Sequence, residues 1–376
     1  MKILLIHNEY LEVGGEDIAV KNEVLNLKEK HEVKELIFSN KIENPFKQLI
    51  YFFLNKNLKS TNLLKKEIKN FKPDVVYVHN TWFKASTGIF KVLKKYNLNT
   101  IIKLHNFRYN CTNSYFVKAH IKKSTICNAC GLKKSNFIFN KYYQDSFLKS
   151  LLVIRYGKKY FKVLKDPFFK IAVLTNFHKD FLVNLGFKNK IYVFPNYLKT
   201  PEHKQEAHKK DFIVYAGRIS QEKGIEELIE SFRNSKLKNI ELRIIGEGPL
   251  LSSLIIDEKV KYFGRMSNQE VLKMVSESRA VVSATKLFEG QPNLLCEASL
   301  LEVPSIFPKT GGIEEFFPDK YIFSFKQFNY QDLTEKLNLL SDKKLSENIG
   351  KKNNDYIKDL LDIKCYDRNF REIVES

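Results

Sequence analysis

The sequence predicts two α/β domains, each built around an open parallel β-sheet. Three observations support this prediction. The 376 residues exceed the roughly 100–200 residues that one domain usually contains. Short runs rich in Val, Ile and Phe alternate with helical patterns, and a polar stretch over residues 199–211 separates two such series. A repeated strand–helix–strand order is typical of a doubly wound parallel sheet.

The first series begins with a strand-like run over residues 2–7, a loop that contains Gly14 and Gly15, and a helical pattern over residues 17–30. This βαβ order then repeats. The further predicted strands cover residues 32–38, 75–79, 100–105, 171–175 and 191–194, and the further helices cover residues 86–96 and 177–185. We therefore assign residues 1–198 to the first domain.

The second series follows the polar linker and repeats the same alternation. Its predicted strands cover residues 212–216, 241–245, 260–263, 280–283 and 305–307, its helices cover residues 224–232, 268–276 and 293–301, and the tail from about residue 333 is helical and amphipathic. Residues 199–355 form the second predicted domain. Two domains of this kind leave a cleft between the carboxyl ends of their strands, where ligands usually bind.

The net charge of +20 arises in the first half of the chain. Residues 1–200 carry 36 Lys and Arg against 14 Asp and Glu, whereas residues 201–376 carry 27 against 29. The excess is densest over residues 84–170, with 19 basic and 2 acidic side chains. Such a surface suits nucleic acid, an anionic membrane or a lipid diphosphate. The alternative is a lysine-rich surface whose charges are simply solvated.

Cellular location is constrained by hydropathy and by cysteine usage. The apolar run at the amino terminus is too short for a signal peptide, and no stretch reaches the roughly 18 apolar residues of a membrane-spanning helix. Five cysteines without a paired spacing favour a reducing compartment. We therefore expect a cytoplasmic protein, at most bound to the inner face of the cytoplasmic membrane.

Candidate phosphate-binding residues follow the first strand of each domain. The first domain lacks G-x-G-x-x-G, which argues against a dehydrogenase. Instead Gly14 and Gly15 precede a helix, where backbone N–H groups could approach an anion, although a tight turn needs the same residues. In the second domain Gly217 and Arg218 follow a strand, and Lys223 lies at the start of a helix. Two cations on one βα loop suit a diphosphate, and the alternative is a surface ion pair with a neighbouring glutamate.

A second candidate element joins two glutamates through a Gly-Pro turn that opens a helix. Its sequence is Glu289-Gly290-Gln291-Pro292-Asn293-Leu294-Leu295-Cys296-Glu297. Free N–H groups of Asn293, Leu294 and Leu295 could hold a phosphate or sugar oxygen at this helix end. The two carboxylates, one in the loop and one inside the helix, could contact different parts of an elongated ligand.

These motifs together resemble retaining glycosyltransferase family 4, whose GT-B fold has two Rossmann-like domains facing a cleft. In the second half the resemblance rests on Gly217-Arg218, Lys223-Gly224, Ile244-Ile245-Gly246-Glu247-Gly248-Pro249, Glu289 with Glu297, and Gly311-Gly312-Ile313-Glu314-Glu315. In the first half it rests on His7-Asn8-Glu9-Tyr10, Gly14-Gly15-Glu16-Asp17, Val78-His79-Asn80-Thr81 and Leu104-His105-Asn106-Phe107-Arg108. The first-half motifs resemble a bacterial branch that assembles cell-envelope polysaccharides.

The resemblance implies a role for each candidate residue. Arg218 and Lys223 would neutralise the nucleotide diphosphate. Glu297 would accept hydrogen bonds from the ribose hydroxyls, and Glu289 would contact hydroxyls of the donor sugar. His105 would contact that sugar near the reacting carbon, and the alternative for His105 is a core histidine bonded to backbone.

The resemblance also implies the rest of the donor site and the path of the chain end. Gly15 would bring its backbone to the diphosphate from the first domain. The remaining residues that we assign to nucleotide-sugar binding are Gly14, Gly217, Gly290, Asn293, Leu294 and Leu295. Residues 356–376 would form a C-terminal helix that returns to the first domain.

A hexosyltransferase of this kind would retain the anomeric configuration, and the leaving phosphate oxygen would itself take the acceptor proton. No Asp-x-Asp motif lies near a predicted strand end, so we expect a metal-independent reaction in which two cations replace a divalent ion. No cofactor is required beyond the substrate, a UDP- or GDP-sugar. The acceptor would be a lipid-linked or growing saccharide of the polysaccharide or O-antigen type.

Residues 147–162 interleave aliphatic and aromatic side chains with Lys and Arg. This stretch would lie on an anionic membrane or receive a lipid diphosphate. The alternative is a helix with one side in the core and a solvated basic side.

Three cysteines, Cys111, Cys127 and Cys130, lie within the basic segment at C-x15-C-x2-C spacing. A structural zinc ion would need a fourth ligand, which His105 or His120 could supply. A further cysteine that is common in the resembling branch is absent here. We therefore favour reduced thiols over zinc.

Two other classes of function stay open. One is a different GT-B enzyme, a nucleotide-sugar epimerase or a phosphorylase. The other is a nucleic-acid-binding protein that uses the basic segment, although no RNA- or DNA-binding motif is present.

Overall fold

The computed structural model describes residues 1–10, 14–41, 50–51, 53–54, 56–109, 146–199 and 209–376. Two compact units make up the chain. The first contains Met1–Tyr197 and Ile363–Ser376, and the second contains Leu198–Asp362. The boundaries between the two units therefore follow residues 197 and 362. The boundaries predicted from the sequence follow residues 198 and 355.

The first unit is built on a six-stranded, all-parallel sheet with the order β2-β1-β3-β4-β5-β6. Its strands are β1 (Lys2–Glu9), β2 (Glu32–Ser39), β3 (Val75–Val78), β4 (Thr100–Leu104), β5 (Lys170–Val173) and β6 (Ile191–Val193). The helices that the structure describes in this unit are α1 (Gly15–Lys28), α2 (Leu58–Phe71), α3 (Gly88–Lys95), α4 (Phe147–Leu164) and α5 (Asn176–Asn184).

The second unit repeats this plan, with the order β12-β11-β10-β7-β8-β9 and parallel pairing throughout. Its strands are β7 (Phe212–Ala216), β8 (Glu241–Ile245), β9 (Val260–Tyr262), β10 (Ala280–Val282), β11 (Ser305–Lys309) and β12 (Ser324–Lys326). Its helices are α6 (Ile225–Arg233), α7 (Asn268–Glu277), α8 (Asn293–Leu300), α9 (Tyr330–Asn338) and α10 (Lys343–Leu360), and α11 (Ile363–Glu375) belongs to the first unit.

Both sheets have a topological switch point, where the strand order reverses. In the first sheet β1 lies between β2 and β3, and in the second sheet β7 lies between β8 and β10. Loops at the carboxyl ends of two such neighbouring strands run to opposite faces of the sheet and leave a crevice between them. The loops after β1 and β3, and after β7 and β10, are therefore where ligand-binding residues are expected.

Strands buried on both faces explain why the sequence shows them as continuous apolar runs. Residues 3–6 of β1 are completely buried, as are residues 75–78 of β3. Helices cover both faces of a parallel sheet, so neither face keeps a polar row. The α/β fold class with two parallel sheets is confirmed.

The last helix, α11, packs on the first sheet. Tyr366, Phe370 and Ile373 join the core cluster that contains Ile3 and Tyr77. The side chain of Lys170 adds hydrogen bonds of 2.9 Å to the carbonyls of residues 373 and 374. This apolar contact explains the amphipathic pattern of the tail.

Helix α2 and strand β12 were not predicted. Helix α2 begins after Asn57, whose side chain accepts hydrogen bonds from the N–H groups of Lys59 and Ser60, an N-cap that the pattern analysis missed. Strand β12 has only three residues, too few to show periodicity. Across the described ranges, no helix combines the length and apolar character needed to cross a bilayer.

Candidate functional site

The loops at the switch point of the second sheet bring two predicted residues together. Lys223 ends a 3-10 turn after β7, and Glu289 lies in the loop after β10. Lys223 Nζ donates to Glu289 Oε1 at 2.5 Å, and Thr285 Oγ1 donates to the same oxygen at 3.0 Å. Both partners are partly exposed, with side-chain accessibilities of 31% and 28%.

Two glycines let the backbone bring these loops close. Gly224 has φ +67°, and a Cβ atom there would lie 2.1 Å from the carbonyl oxygen of Ala284. Gly311 has φ +59°, and its Cβ atom would lie 2.2 Å from the carbonyl oxygen of Glu289. Only glycine fits such a conformation and such an approach. The glycines of the sequence motifs therefore position Lys223 and Glu289.

The loop that carries Arg218 is held by the loop after β8. The N–H groups of Gly217 and Ile219 donate to the carbonyls of Ile245 and Glu247 at 3.0 and 2.8 Å. The Arg218 side chain is exposed, and none of the described residues forms a hydrogen bond or an ion pair with its guanidinium. A rigid backbone thus presents a guanidinium that is available for an anion.

Ser220 in the same loop was not predicted as a site residue. Its hydroxyl oxygen is buried and lacks a hydrogen-bond partner among the residues described. An unpaired buried hydroxyl costs about 1–3 kcal/mol, so this atom fits a ligand that would pair with it. A lone serine in a loop carries no sequence signal that would have identified it.

Glu297 lies in α8 and is 8% exposed. Burial raises its pKa to about 7, and a hydrogen bond with the side chain of Asn268 opposes this shift. No hydrogen bond or ion pair among the described residues joins Glu297 to the Lys223–Glu289 pair. The Glu297 carboxyl is therefore not part of the hydrogen-bonded group formed by Lys223, Thr285 and Glu289.

The N-terminus of α8 differs from the prediction at one position. The Leu295 N–H donates to the carbonyl of Pro292 at 2.9 Å, so the expectation of a free N–H at Leu295 was wrong. The first turn of the helix closes on the proline carbonyl and uses this donor. Asn293 and Leu294 are partly exposed at the helix start, and Gly290 is buried in the preceding turn.

In the first unit, three histidines lie on one face of the sheet near the carboxyl ends of its strands. Side chains two residues apart in a strand share a face. Ile3, Leu5, Val75, Tyr77 and Ile101 belong to the core cluster under α1. The next positions on this face are His7 in β1, His79 after β3, Lys103 in β4, and His105 directly after β4.

A buried glutamate of α1 organises this face. Glu23 is completely buried and pairs with the buried ammonium of Lys103. Tyr77 Oη donates to Glu23 Oε2 at 3.1 Å, and His79 Nε2 lies 3.8 Å from the same oxygen. A buried glutamate needs such partners because an isolated buried charge is strongly unfavourable.

His105, a predicted catalytic residue, is partly exposed at the end of β4. Its Nε2 atom lies 2.9 Å from His79 Nδ1, and the two rings stack at 5.2 Å. The alternative of a core histidine bonded to backbone is therefore wrong, because the partner is a second imidazole. Burial lowers the pKa of both His79 and His105 well below the usual range.

The glycine loop of the first unit is closed by Asp17. The Gly14 N–H donates to Asp17 Oδ2 at 2.8 Å, and His7 Nε2 lies 2.8 Å from Asp17 Oδ1. Burial opposes ionisation of Asp17, but these hydrogen bonds keep its pKa below the usual value. The Gly14 N–H therefore already has a partner within the loop, and anion binding by the backbone of Gly14 and Gly15 stays a prediction. Gly15 is the first residue of α1.

Glu16, which the sequence analysis did not select, lies beside this loop. Its Oε2 atom accepts hydrogen bonds from Tyr10 Oη at 2.8 Å and from Asn106 Nδ2 at 3.2 Å. Burial raises the pKa of Glu16. The loops after β1 and β4 are thus linked through this carboxylate, which binds Tyr10 and Asn106, the residue after His105.

Within the described ranges, no group of three or more His, Cys, Asp or Glu residues is arranged to hold a metal ion. Cys111, His120, Cys127 and Cys130 lie outside those ranges. The zinc hypothesis and the expected metal independence therefore stay predictions.

Residues 198–356 match the protein family described as glycosyl transferases group 1. An uncharacterized glycosyltransferase of Methanocaldococcus jannaschii is 27% identical over 356 residues, which is 84% of this chain and 78% of that protein. The amylovoran biosynthesis glycosyltransferase AmsD of Erwinia amylovora is 27% identical over 199 residues, which is 48% of this chain and 55% of that protein.

Solved structures show the same fold. HepE of Anabaena, solved in complex with UDP and glucose, superposes with a TM-score of 0.68 at 13% identity, over all of this chain and 99% of the other. At this identity the likeness concerns the fold alone. Residues 198–356 thus match the group 1 glycosyl transferase model, and the chain as a whole shares the GT-B fold of the solved structure.

Proposed function

We propose that this chain is a retaining, metal-independent hexosyltransferase that moves a sugar from a UDP- or GDP-sugar to a lipid-linked or growing cell-surface saccharide. The observation that carries the proposal is the Lys223–Glu289 pair at the switch point of the second sheet. The similarity to AmsD supports an acceptor of the polysaccharide type, and the complex of HepE with UDP supports a nucleotide donor.

Departure of the nucleotide places negative charge on a diphosphate and positive charge on the sugar. Positive groups held in advance at the diphosphate stabilise this transition state. Arg218 supplies a planar fork for phosphate oxygens, and Lys223 supplies a mobile ammonium. In the ligand-free chain Glu289 balances the charge of Lys223. When a donor binds, Lys223 turns to the diphosphate and Glu289 accepts hydrogen bonds from sugar hydroxyls.

Glu297 completes the donor site by accepting hydrogen bonds from the ribose. Hydrogen bonds to the charged form of a carboxyl favour ionisation. With a pKa of about 7 in the free protein, Glu297 therefore loses its proton when ribose hydroxyls arrive. The anomeric configuration is retained if the acceptor attacks from the side of the leaving diphosphate. An oxygen of that diphosphate then takes the proton of the acceptor hydroxyl, so no protein base is required.

An apolar surface with a basic border supports the proposed contact with a membrane. Leu148 and Leu151 of α4 are exposed, as are Phe53 and Leu54. The Arg155 guanidinium lies 4.7 Å from the centre of the Phe53 ring, so the two segments adjoin. The opposite side of α4 is buried. One side of this helix thus packs in the core. We infer that the other side, with its apolar and basic groups, contacts anionic lipid. The enzyme would act at the inner face of the cytoplasmic membrane.

Two assays test the proposed function. A thermal-shift panel of UDP, GDP, ADP and their sugars identifies the donor, because a ligand at 100 times its Kd stabilises by about 2.7 kcal/mol. Nucleotide release is then measured with and without lipid-linked saccharide. Release that depends on the acceptor supports transfer. Conversion of the donor without an acceptor would indicate an epimerase, and stabilisation only by nucleic acid would contradict the proposal.

A further inference from the structure

Glu23, His79 and His105 form a polar chain that runs from the core to the carboxyl end of β4. The Glu23 carboxylate lies 3.8 Å from His79 Nε2, and His79 Nδ1 lies 2.9 Å from His105 Nε2. The side chains of Glu23 and His79 are completely buried. Only His105, the last member, reaches the surface. The first two residues cannot touch a substrate, but they can determine what the third presents.

The carboxylate determines which nitrogen of His79 carries the proton. A neutral imidazole has one N–H donor and one lone pair. If the proton were on Nδ1, the Nε2 lone pair would face the Glu23 carboxylate, and two negative groups would repel each other in a dry interior. With the proton on Nε2, an N–H group and not a lone pair lies 3.8 Å from the carboxylate, a favourable electrostatic contact that is longer than a hydrogen bond. His79 is therefore protonated on Nε2, and its Nδ1 atom is a hydrogen-bond acceptor.

The tautomer of His79 determines that of His105 in turn. An acceptor at His79 Nδ1 requires a donor at 2.9 Å, which is the N–H of His105 Nε2. His105 then carries a lone pair on Nδ1, and this atom is buried without a partner among the residues described. We propose that Glu23 and His79 are positioning residues that hold His105 as a neutral imidazole protonated on Nε2, with Nδ1 as an acceptor for a hydroxyl of the substrate.

This inference rests on the proposed function and specifies the substrate group that His105 contacts. An acceptor nitrogen pairs with a sugar hydroxyl, whereas a phosphate oxygen would require an N–H donor. The charged and titratable groups near His105 are Lys103, His7, His178 and His79. Burial disfavours the charged form and lowers the pKa of His105, and the positive charge of Lys103 acts in the same direction. Both effects keep His105 neutral.

Nitrogen-15 spectra of the ligand-free protein test the tautomers directly. Long-range correlations in protein labelled with ¹⁵N-histidine distinguish the protonated from the bare ring nitrogen. We expect both His79 and His105 to carry the proton on Nε2 at pH 7. A proton on Nδ1 of His105, or a doubly protonated ring, would overturn the proposal. This readout needs no substrate, so it decides the tautomer even if no transfer is found and the proposed function fails.

Two substitutions of His79 test the consequence for catalysis. In His79→Asn the side-chain oxygen can take the place of Nδ1 and accept from His105, whereas His79→Leu offers no acceptor. Without an acceptor at this position the N–H of His105 Nε2 has no partner, so we expect kcat/KM to fall about tenfold or more in His79→Leu. His79→Asn should stay within about threefold of wild type. Equal activity of the two folded variants would overturn the proposal.

His178 supplies a matched control. It is as buried as His79, and, like His79, it has one ring nitrogen with a hydrogen-bond partner. This nitrogen is Nε2, which lies 3.0 Å from Tyr109 Oη, and none of the described hydrogen bonds joins His178 to His105. We expect His178→Leu to lower thermal stability and to leave the His105 tautomer unchanged. A change of the His105 tautomer in this variant would mean that general packing, and not His79, holds the ring. Glu23 is a poorer target because its removal leaves Lys103 buried without a counter-charge.

Discussion

Lys223 Nζ lies 2.5 Å from Glu289 Oε1, although 66 residues separate the two in the chain. The contact exists because β7 and β10 are neighbours in the second sheet and their following loops meet at the switch point. An ion pair that is partly exposed contributes little to stability, commonly about 0–1 kcal/mol. The pair lies at a crevice where ligands usually bind, so we propose a role in binding instead. Lys223 would bind the diphosphate of a nucleotide sugar, and Glu289 would bind the hydroxyls of its sugar.

Removal of either cation should impair transfer. We expect Lys223→Ala and Arg218→Ala each to lose on the order of 2–4 kcal/mol of transition-state stabilisation, because the leaving diphosphate loses a positive partner. Steady-state kinetics of sugar transfer measure this loss as a decrease in kcat/KM.

Lys336 offers the matched control for Lys223. It lies in the same unit, is 25% accessible, and pairs with Asp332 at 3.7 Å. We expect Lys336→Ala to transfer sugar at the wild-type rate. Wild-type rates in Lys223→Ala and Arg218→Ala would contradict the assignment of both cations.

Close approach of Gly311 to Glu289 should make this glycine irreplaceable. The left-handed conformation costs alanine about 1–2 kcal/mol, and the overlap with the Glu289 carbonyl should add about 1–3 kcal/mol. Gly264 has φ +70° but no atom nearer than 4.0 Å to its added Cβ. Urea denaturation should therefore show a larger loss of unfolding free energy in Gly311→Ala than in Gly264→Ala. Equal losses would mean that the loop moves to relieve the overlap.

Stability should decrease with rising pH through the titration of Glu297. Burial raises its pKa from 4.5 to about 7, so the folded state binds the proton more tightly than the unfolded state. The contribution of Glu297 to the free energy of unfolding is fully present at low pH. It decreases between about pH 4.5 and 7, by roughly 3 kcal/mol in total.

Glu297→Gln isolates this effect because the amide resembles the protonated carboxyl. Urea unfolding at pH 5, 6, 7 and 8 should show wild type losing stability relative to Glu297→Gln as pH rises. A constant difference between the two proteins would show that Glu297 is not titrating in this range.

Vesicle flotation tests the apolar and basic surface of the first unit. We expect binding to vesicles that contain anionic phosphatidylglycerol, weak binding to neutral phosphatidylcholine, and a severalfold loss in the double variant Leu148→Ser with Leu151→Ser. Ile255→Ser is the control, since Ile255 is 66% exposed but lies in the second unit. Equal binding to anionic and neutral vesicles would contradict a specific membrane surface. An equal loss of vesicle binding in Ile255→Ser would contradict it as well.

The sequence predicts the fold well because parallel strands buried on both faces appear as apolar runs between capped helices. Strands β7 and β8 have the predicted bounds, 212–216 and 241–245. The sequence predicts the arrangement of the site residues less well. Lys223 and Glu289 were both selected, but their contact depends on the spatial order of strands, which local patterns do not contain.

Buried charges were the hardest feature to predict. Glu23 and Lys103 are 80 residues apart, and each would ordinarily be assigned to the surface. Side chains alternate between the two faces of a strand, so Lys103 in β4 lies on the same face as Ile101. This alternation was the one indication in the sequence that Lys103 is buried. Without knowledge that α1 covers this face, that signal could not identify the partner.

The configuration of the transfer product tests the proposed function most directly. Proton NMR of a reaction with an α-linked nucleotide sugar and a lipid-linked saccharide should show a new α-anomeric signal that requires wild-type protein and is absent with the double variant Arg218→Ala, Lys223→Ala. A β-anomeric product would contradict retention, and full transfer by the double variant would contradict the site.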